Sequence, residues 1–158
     1  MYLGSAAISL DHISVTYRMS SQLEDALEAS IGACSAAERS WINPASRAII
    51  QFNYGCCLFR HSRYAEALPI FKTSLSTFEH MGNLLRSARC LEALGIIHAS
   101  RGDGRETVEV LEGAIEKYLK LGEISVEGRR GIERCRDNFD RIKRREDGED
   151  MSLNLYVM

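Results

Sequence analysis

The chain has 158 residues, of which 45% are hydrophobic and 27% are charged, and its formal net charge is −2. This composition argues against a mainly disordered chain, which would be poor in apolar residues, and against a nucleic-acid binder that relies on a strong overall positive charge. The two prolines and twelve glycines argue against collagen and against an all-β fold with many tight turns. Because no long apolar run is present, we expect no transmembrane helix, and the first residues do not resemble a secretory signal.

The N-terminal part of the chain gives the weakest pattern. For residues 1–20 a helix is one alternative, but β-branched side chains weaken it. Ser21 with Glu24 three residues later resembles a capping box, and apolar residues at helical spacing follow. We therefore predict a helix over about 22–40 and begin a helical repeat domain, residues 21–145, at this point.

The first clear helical hairpin covers residues of about 45–81. Asn43 followed by Pro44 is typical of an N-cap and the first turn of a helix. Gly82 is typical of a helix end. A short turn at residues 61–63 separates the two predicted helices.

A second hairpin follows over about 83–121, and its two helices are separated by a Gly-Asp-Gly turn. Asp103 and Glu106 in this turn resemble another capping box. A closing helix is predicted over about 123–145. The last residues, 146–158, are acidic and then apolar, and we predict that this tail is loose.

The two hairpins resemble each other at an offset of 40 residues, at which Gly55 corresponds to Gly95. A glycine inside a helix costs about 1 kcal/mol relative to alanine, so each glycine needs a structural reason. Close approach of the second helix of the hairpin supplies one. We expect the facing residues to be the small side chains of Ala67 and Thr107.

Residues 54–82 have a glycine in the first helix, a Tyr-x-x-Ala sequence at the turn, and a large apolar residue followed by a small one in the second helix. The residues at these places are Gly55, Leu58, Tyr64, Ala67, Phe71 and Ser74, followed in the second copy by Leu94, Gly95, Leu111, Ala114 and Tyr118. This pattern resembles the tetratricopeptide repeat, although the second copy departs from it at His98 and Thr107. The 40-residue offset resembles the longer variety of the family, which often occurs in nucleotide-binding signalling regulators.

The resemblance implies an all-α fold of helix-turn-helix repeats stacked in a right-handed superhelix. In this family the first helix of each hairpin lines a concave groove that holds a peptide. The residues of this chain that the resemblance places there are Phe52, Asn53, Cys56, Phe59, Arg60, Arg89, Glu92, Ile96, Arg129 and Arg136. For Phe52, Phe59 and Ile96, packing between repeats is an equal alternative.

The implied function is a non-enzymatic protein-protein interaction module, a scaffold or adaptor, that binds a peptide or partner helix with acidic side chains and apolar anchors. The alternative is a sensor or oligomerisation segment of a larger nucleotide-binding signalling regulator. We expect no catalytic residue, metal or cofactor, because no cysteine has histidine and an acid at a recognisable spacing and no phosphate-binding loop occurs.

The basic segment at residues 129–145 pairs its acids with bases three or four residues away, which favours a solvated capping helix over a membrane or nucleic-acid surface. Five cysteines without an export signal indicate a reducing, cytoplasmic setting.

Overall fold

The computed structural model describes residues 2–122 and 125–146, so the predicted tail lies outside the described residues except for Glu146. Across these two ranges the secondary structure is helical: α1 (Tyr2–Met19), α2 (Leu23–Glu38), α3 (Pro44–Arg60), α4 (Tyr64–His80), α5 (Leu84–Arg101), α6 (Gly104–Lys120) and α7 (Val126–Glu146). The all-α prediction is therefore confirmed, and the N-terminal segment contains a full helix. None of the described helices has the length and apolar character needed to span a membrane.

The chain forms two compact units, Met1–Thr77 and Phe78–Met158, which divide within α4. In the N-terminal unit, α2 packs against α1 and α3, and α1 also contacts α3. Its core cluster consists of small and branched apolar residues, namely Ala7, Ala33, Ala37 and Ile50.

In the C-terminal unit, α5 and α6 pair with each other and α7 packs against both. Tyr118 is the largest side chain of the core cluster in this unit and is fully buried. The rest of the cluster comes from all three helices: Ala88, Leu111, Ala114, Ile132 and Cys135. The predicted closing helix thus buries the apolar side of its own sequence, as a capping helix must.

Asparagine side chains cap the first helix of each clear hairpin. The Asn43 side chain accepts a hydrogen bond of 2.8 Å from the backbone N–H of Ser46 at the start of α3. Asn83 accepts one of 3.1 Å from the N–H of Arg86 at the start of α5. Each bond satisfies one of the N–H groups that a helix leaves unpaired at its N-terminus.

The two predicted capping boxes are not formed. Asp103 is the N-cap of α6 but makes no side-chain cap bond, because its carboxylate lies 3.3 Å from Nδ1 of His98. At α2 the N-cap is Gln22, while Ser21 has a φ of 61° and belongs to the preceding turn. A capping pattern in the sequence does not show whether another group, here the His98 imidazole, binds the side chain of the capping residue instead.

The two corresponding glycines lie where the helices of each hairpin approach closely. A Cβ atom at Gly95 would lie 2.6 Å from Cδ2 of Leu111, and one at Gly55 would lie 3.2 Å from Cε1 of Phe71. The predicted close approach is therefore confirmed. The predicted facing residues are wrong, since the side chains that contact the glycines come one helical turn later and are large.

Candidate functional site

The ten residues that the sequence places in a binding groove lie on α3, α5 and α7. Six of them are buried: Phe52, Asn53, Cys56, Phe59, Glu92 and Ile96. Arg60 and Arg89 are half-buried, and Arg129 and Arg136 are exposed. The four arginines are therefore the members of the set that a ligand can reach without a rearrangement of the core.

The two phenylalanines of this set form part of the interior of the N-terminal unit. The rings of Phe52 and Phe59 meet Phe71 edge-on, with centroid distances of 5.8 and 6.3 Å. Phe59 also packs on Tyr64 at 5.2 Å. Edge-to-face contacts at these distances are favourable for aromatic pairs. In the structure both side chains therefore have the packing role that the sequence left open as an alternative.

A polar line of contacts joins α1 to α3. The amide of Asn53 donates to both carboxylate oxygens of Asp11, at 2.9 and 3.0 Å, and both side chains are buried. One turn further on, Ser14 Oγ lies 3.4 Å from Sγ of Cys57. Because both residue numbers increase together, α1 and α3 run parallel in this region.

Arg18 continues this line at the end of α1. Its side chain is 8% exposed, and Nε and Nη1 are buried without a hydrogen-bond partner. The register set by the two preceding contacts places Arg18 level with Arg60 at the end of α3. In the described parts of the chain, no carboxylate forms an ion pair with either arginine.

Arg18 is a candidate site residue that the sequence analysis missed. Three polar residues on α1, namely Asp11, Ser14 and Arg18, lie three and four positions apart, so they share one face of a helix. The signal in the sequence that could have identified Arg18 is this repetition of polar residues on the otherwise apolar, buried side of a helix.

The C-terminal unit carries a comparable unsatisfied group on α5. Arg89 is half-buried, and its Nε atom is buried without a hydrogen-bond partner. Most buried polar atoms in folded proteins have a partner, so an orphan guanidinium nitrogen is a feature that needs an explanation. A ligand that supplies a hydrogen-bond acceptor would be such an explanation.

Glu92, in contrast, is fully occupied within the fold. Arg134 donates from Nε and Nη2 to the two carboxylate oxygens of Glu92 at 2.8 and 2.9 Å, and Tyr118 donates its hydroxyl at 2.8 Å. The hydrogen bond to Glu92 raises the pKa of Arg134, and burial followed by the Glu92 charge raises the pKa of Tyr118. This network joins α5, α6 and α7, so it gives Glu92 a role in packing.

The exposed arginines of α7 lie beyond this network. Arg136 lines an open groove of about 500 Å³ between α6 and α7, whose apolar lining includes Val108, Phe139 and Ile142. On the same helix Arg141 pairs with Asp137 at 2.9 Å, which confirms one of the predicted self-paired charges.

A scan against protein-family models finds no match for this chain, and a search of the curated proteins finds none. Among solved structures, the chain is similar to a tetratricopeptide repeat protein from Parabacteroides merdae, with 17% sequence identity and a TM-score of 0.39. The alignment covers 92% of this chain and 68% of that chain. That protein belongs to the class of repeat that the sequence motifs resemble.

Proposed function

We propose that this chain is a non-enzymatic protein-interaction module, a scaffold or adaptor, that binds an acidic segment of a partner protein. The observation that carries the proposal is a set of buried guanidinium nitrogens without a hydrogen-bond partner, namely Nε and Nη1 of Arg18 in the N-terminal unit and Nε of Arg89 in the C-terminal unit. Arg60, at the end of α3, is half-buried. A guanidinium that is withdrawn from water without an acceptor costs free energy. A carboxylate supplied by a ligand would remove that cost with charge-assisted hydrogen bonds.

The end of α1 and α3 is the better defined of the two binding positions. Arg18 and Arg60 lie level with each other there, and planar guanidinium groups hold carboxylates with two parallel hydrogen bonds. Asp11, the acid nearest along the same face of α1, already accepts from Asn53. An aspartate or glutamate of the partner is therefore the acceptor that this end of the unit lacks.

Within the C-terminal unit, the exposed arginines of α7 would offer further contacts to an acidic segment. Arg129 and Arg136 lie on the exposed side of that helix, and the groove beside Arg136 offers an apolar surface for an anchor residue. Rim arginines of this kind add mostly to the rate and salt dependence of association.

The state of the cysteines supports a function without a covalent intermediate. Burial raises the pKa of Cys34 and of Cys135 to about 12, so both thiols stay protonated near neutral pH and are poor nucleophiles. No disulfide bond joins any of the five cysteines, all of which lie in the described ranges, and this supports the proposed reducing, cytoplasmic setting.

Peptide display on the immobilised protein tests the proposal. We expect the selected peptides to be rich in Asp and Glu beside apolar residues, and we expect Arg60→Ala and Arg89→Ala each to weaken their binding by about tenfold or more. Lys72→Ala on α4 and Arg105→Ala on α6 are the matched controls, because both remove an exposed cation from an even-numbered helix. Their affinities should stay close to wild type.

The salt dependence separates an electrostatic contact from a general loss of structure. The slope of affinity against salt concentration should flatten in Arg60→Ala and Arg89→Ala, since screening acts on the charge contribution, while the helical circular dichroism stays unchanged. Selected peptides that are not acidic, or that bind both variants as tightly as wild type, would show that these arginines are not the binding site.

A further inference from the structure

The loop between α2 and α3 presents a large apolar side chain to solvent. Trp41, the single tryptophan of the chain, is 98% exposed. A tryptophan buries about 150–250 Å² of surface when it is packed, and Trp41 buries almost none within its own chain. The loop lies close to the start of α1, because a Cβ atom at Gly4 would be 3.2 Å from Cγ2 of Ile42 and 3.7 Å from the carbonyl oxygen of Trp41. The indole is therefore displayed from a supported loop.

An open groove lies beside this loop in the same unit, between α2, α3 and α4. It encloses about 270 Å³, and its apolar lining includes Ala37, Ile50, Pro69 and Ile70. Pockets for drug-sized ligands begin at about 300 Å³, so this volume suits a single large side chain. Glu38 and Arg47 also line it, and they flank the loop that carries Trp41.

We propose that this groove binds Trp41 of a second copy of the chain, and that the contact is reciprocal, so that two copies form a symmetric dimer. In a twofold interface the same patch faces itself, so an anchor and its receptor must lie on one surface. Trp41 follows Glu38 by three residues and precedes Arg47 by six, which places the anchor next to its receptor groove.

The charges of the groove favour the same occupant. Glu38 and Arg47 form no ion pair within the described parts of the chain. When two copies meet about a twofold axis, the acid of one copy can face the base of the other, which favours the symmetric pairing. Arg47 donates from Nη2 to the carbonyl oxygen of Ala37 at 3.5 Å, which leaves the face of the guanidinium plane for an incoming indole, a contact that arginine and tryptophan commonly make.

Sedimentation of the protein over a wide concentration range, together with its tryptophan emission, tests the proposal. Because the chain has one tryptophan, its emission reports on this side chain alone. We expect the emission to shift to shorter wavelength as the dimer forms, with the same concentration dependence. Trp41→Ala removes two anchors from each dimer and should weaken dimerisation by about a hundredfold or more. Met19→Ala is the control, because Met19 is 82% exposed and lies at the far end of α1.

A variant that fills the groove tests the receptor. Thr73 lines the groove and is exposed on α4, so Thr73→Arg should cover the floor without disturbing the core. Ser76→Arg adds the same charge on the same helix outside the groove and should dimerise normally. A mixture of Trp41→Ala and Thr73→Arg retains one anchor and one receptor, so it should form heterodimers although neither variant dimerises alone.

Three results would overturn the proposal. The first is a wild-type protein that stays monomeric at all concentrations. The second is a dimer in which the Trp41 emission remains that of a fully exposed indole. The third is dimerisation of Trp41→Ala or Thr73→Arg at the wild-type concentration. Failure of the peptide-binding proposal would leave this test unaffected, since Trp41 and its groove contain none of the arginines involved.

Discussion

Removal of Arg134 should leave the buried carboxylate of Glu92 in the C-terminal unit without its ion-pair partner. Glu92 is fully buried, and Arg134 supplies two of its hydrogen bonds through Nε and Nη2. In Arg134→Met the stem of the side chain still packs, but Glu92 keeps the Tyr118 hydroxyl as its remaining donor of this network. Breaking a buried ion pair from one side typically costs about 3–5 kcal/mol. For a chain of this length that corresponds to a loss of roughly 6–20 °C in the unfolding temperature.

Thermal and urea unfolding, followed by circular dichroism, measure the change. Amide hydrogen exchange resolved by helix should localise the faster exchange to α5, α6 and α7, which the network joins. Arg141→Met is the matched control on the same helix, because its partner Asp137 is largely exposed. A surface pair of this kind contributes less than about 1 kcal/mol.

The double variant Glu92→Leu/Arg134→Met distinguishes the loss of one partner from the loss of the pair. Replacing both charges with apolar side chains is often neutral or stabilising, so the double variant should recover most of the stability lost in Arg134→Met. Two results would refute the reasoning. One is an Arg134→Met variant that is no less stable than Arg141→Met, and the other is a double variant that is less stable than Arg134→Met.

Two further predictions concern the C-terminal unit. Gly95→Ala should lower the free energy of unfolding in urea by about 1–3 kcal/mol, since its Cβ would meet Leu111 at 2.6 Å. Gly113→Ala, whose Cβ has ordinary contacts, should raise that free energy by up to about 1 kcal/mol. Equal effects of the two substitutions would contradict the close approach at Gly95. Burial raises the pKa of Cys135 from 9.0 to about 12 and also raises that of Tyr118, so the folded state retains protons that the unfolded state releases. Stability should therefore be constant below about pH 9 and fall as the pH rises towards 12, and Cys135→Ala should make that fall shallower; a stability that rises with alkaline pH would contradict this sign.

The helices of both clear hairpins follow from the sequence because local signals agree there. The asparagine cap, the helix-ending glycine and the apolar spacing all indicate the same boundaries. Helix α3 begins directly after the predicted cap Asn43, and α5 begins directly after Asn83, at the predicted start of the second hairpin. At α1 the β-branched residues oppose the helix, and tertiary packing against α2 and α3 decides the outcome. The repeat pattern therefore predicts local structure better than propensity alone.

The sequence predicts the candidate binding residues less well than the helices, because a position on a helix does not show how deeply its side chain is buried. The resemblance placed Phe59 and Glu92 in a groove, yet the first packs on aromatic neighbours and the second binds Arg134. Their partners lie on other helices, at separations that no single-helix pattern encodes. Arg60 and Arg89 keep part of their surface exposed. Arg18 lies level with Arg60 because of the register between α1 and α3, which the sequence pattern does not show.

Each of the two units contains the same kind of contact between its odd-numbered helices. Asp11 of α1 accepts from Asn53 of α3, and Glu92 of α5 accepts from Arg134 of α7, with 42 residues separating the partners in both cases. In each pair an acid on the earlier helix meets a nitrogen donor on the later one. Buried polar groups that are fully satisfied specify a single arrangement, because any shift in register would leave them unpaired.

The same logic identifies the guanidiniums that the fold does not use. Arg18 and Arg89 lie on helices α1 and α5 that already supply an acid to a satisfied pair, yet their own buried nitrogens have no acceptor. A carboxylate within the chain at either position would have completed the register in the way that Glu92 does. Among the described residues neither position has such an acceptor, and our proposal assigns that role to an acidic side chain of a partner protein, the same chemistry that pairs elsewhere in the two units.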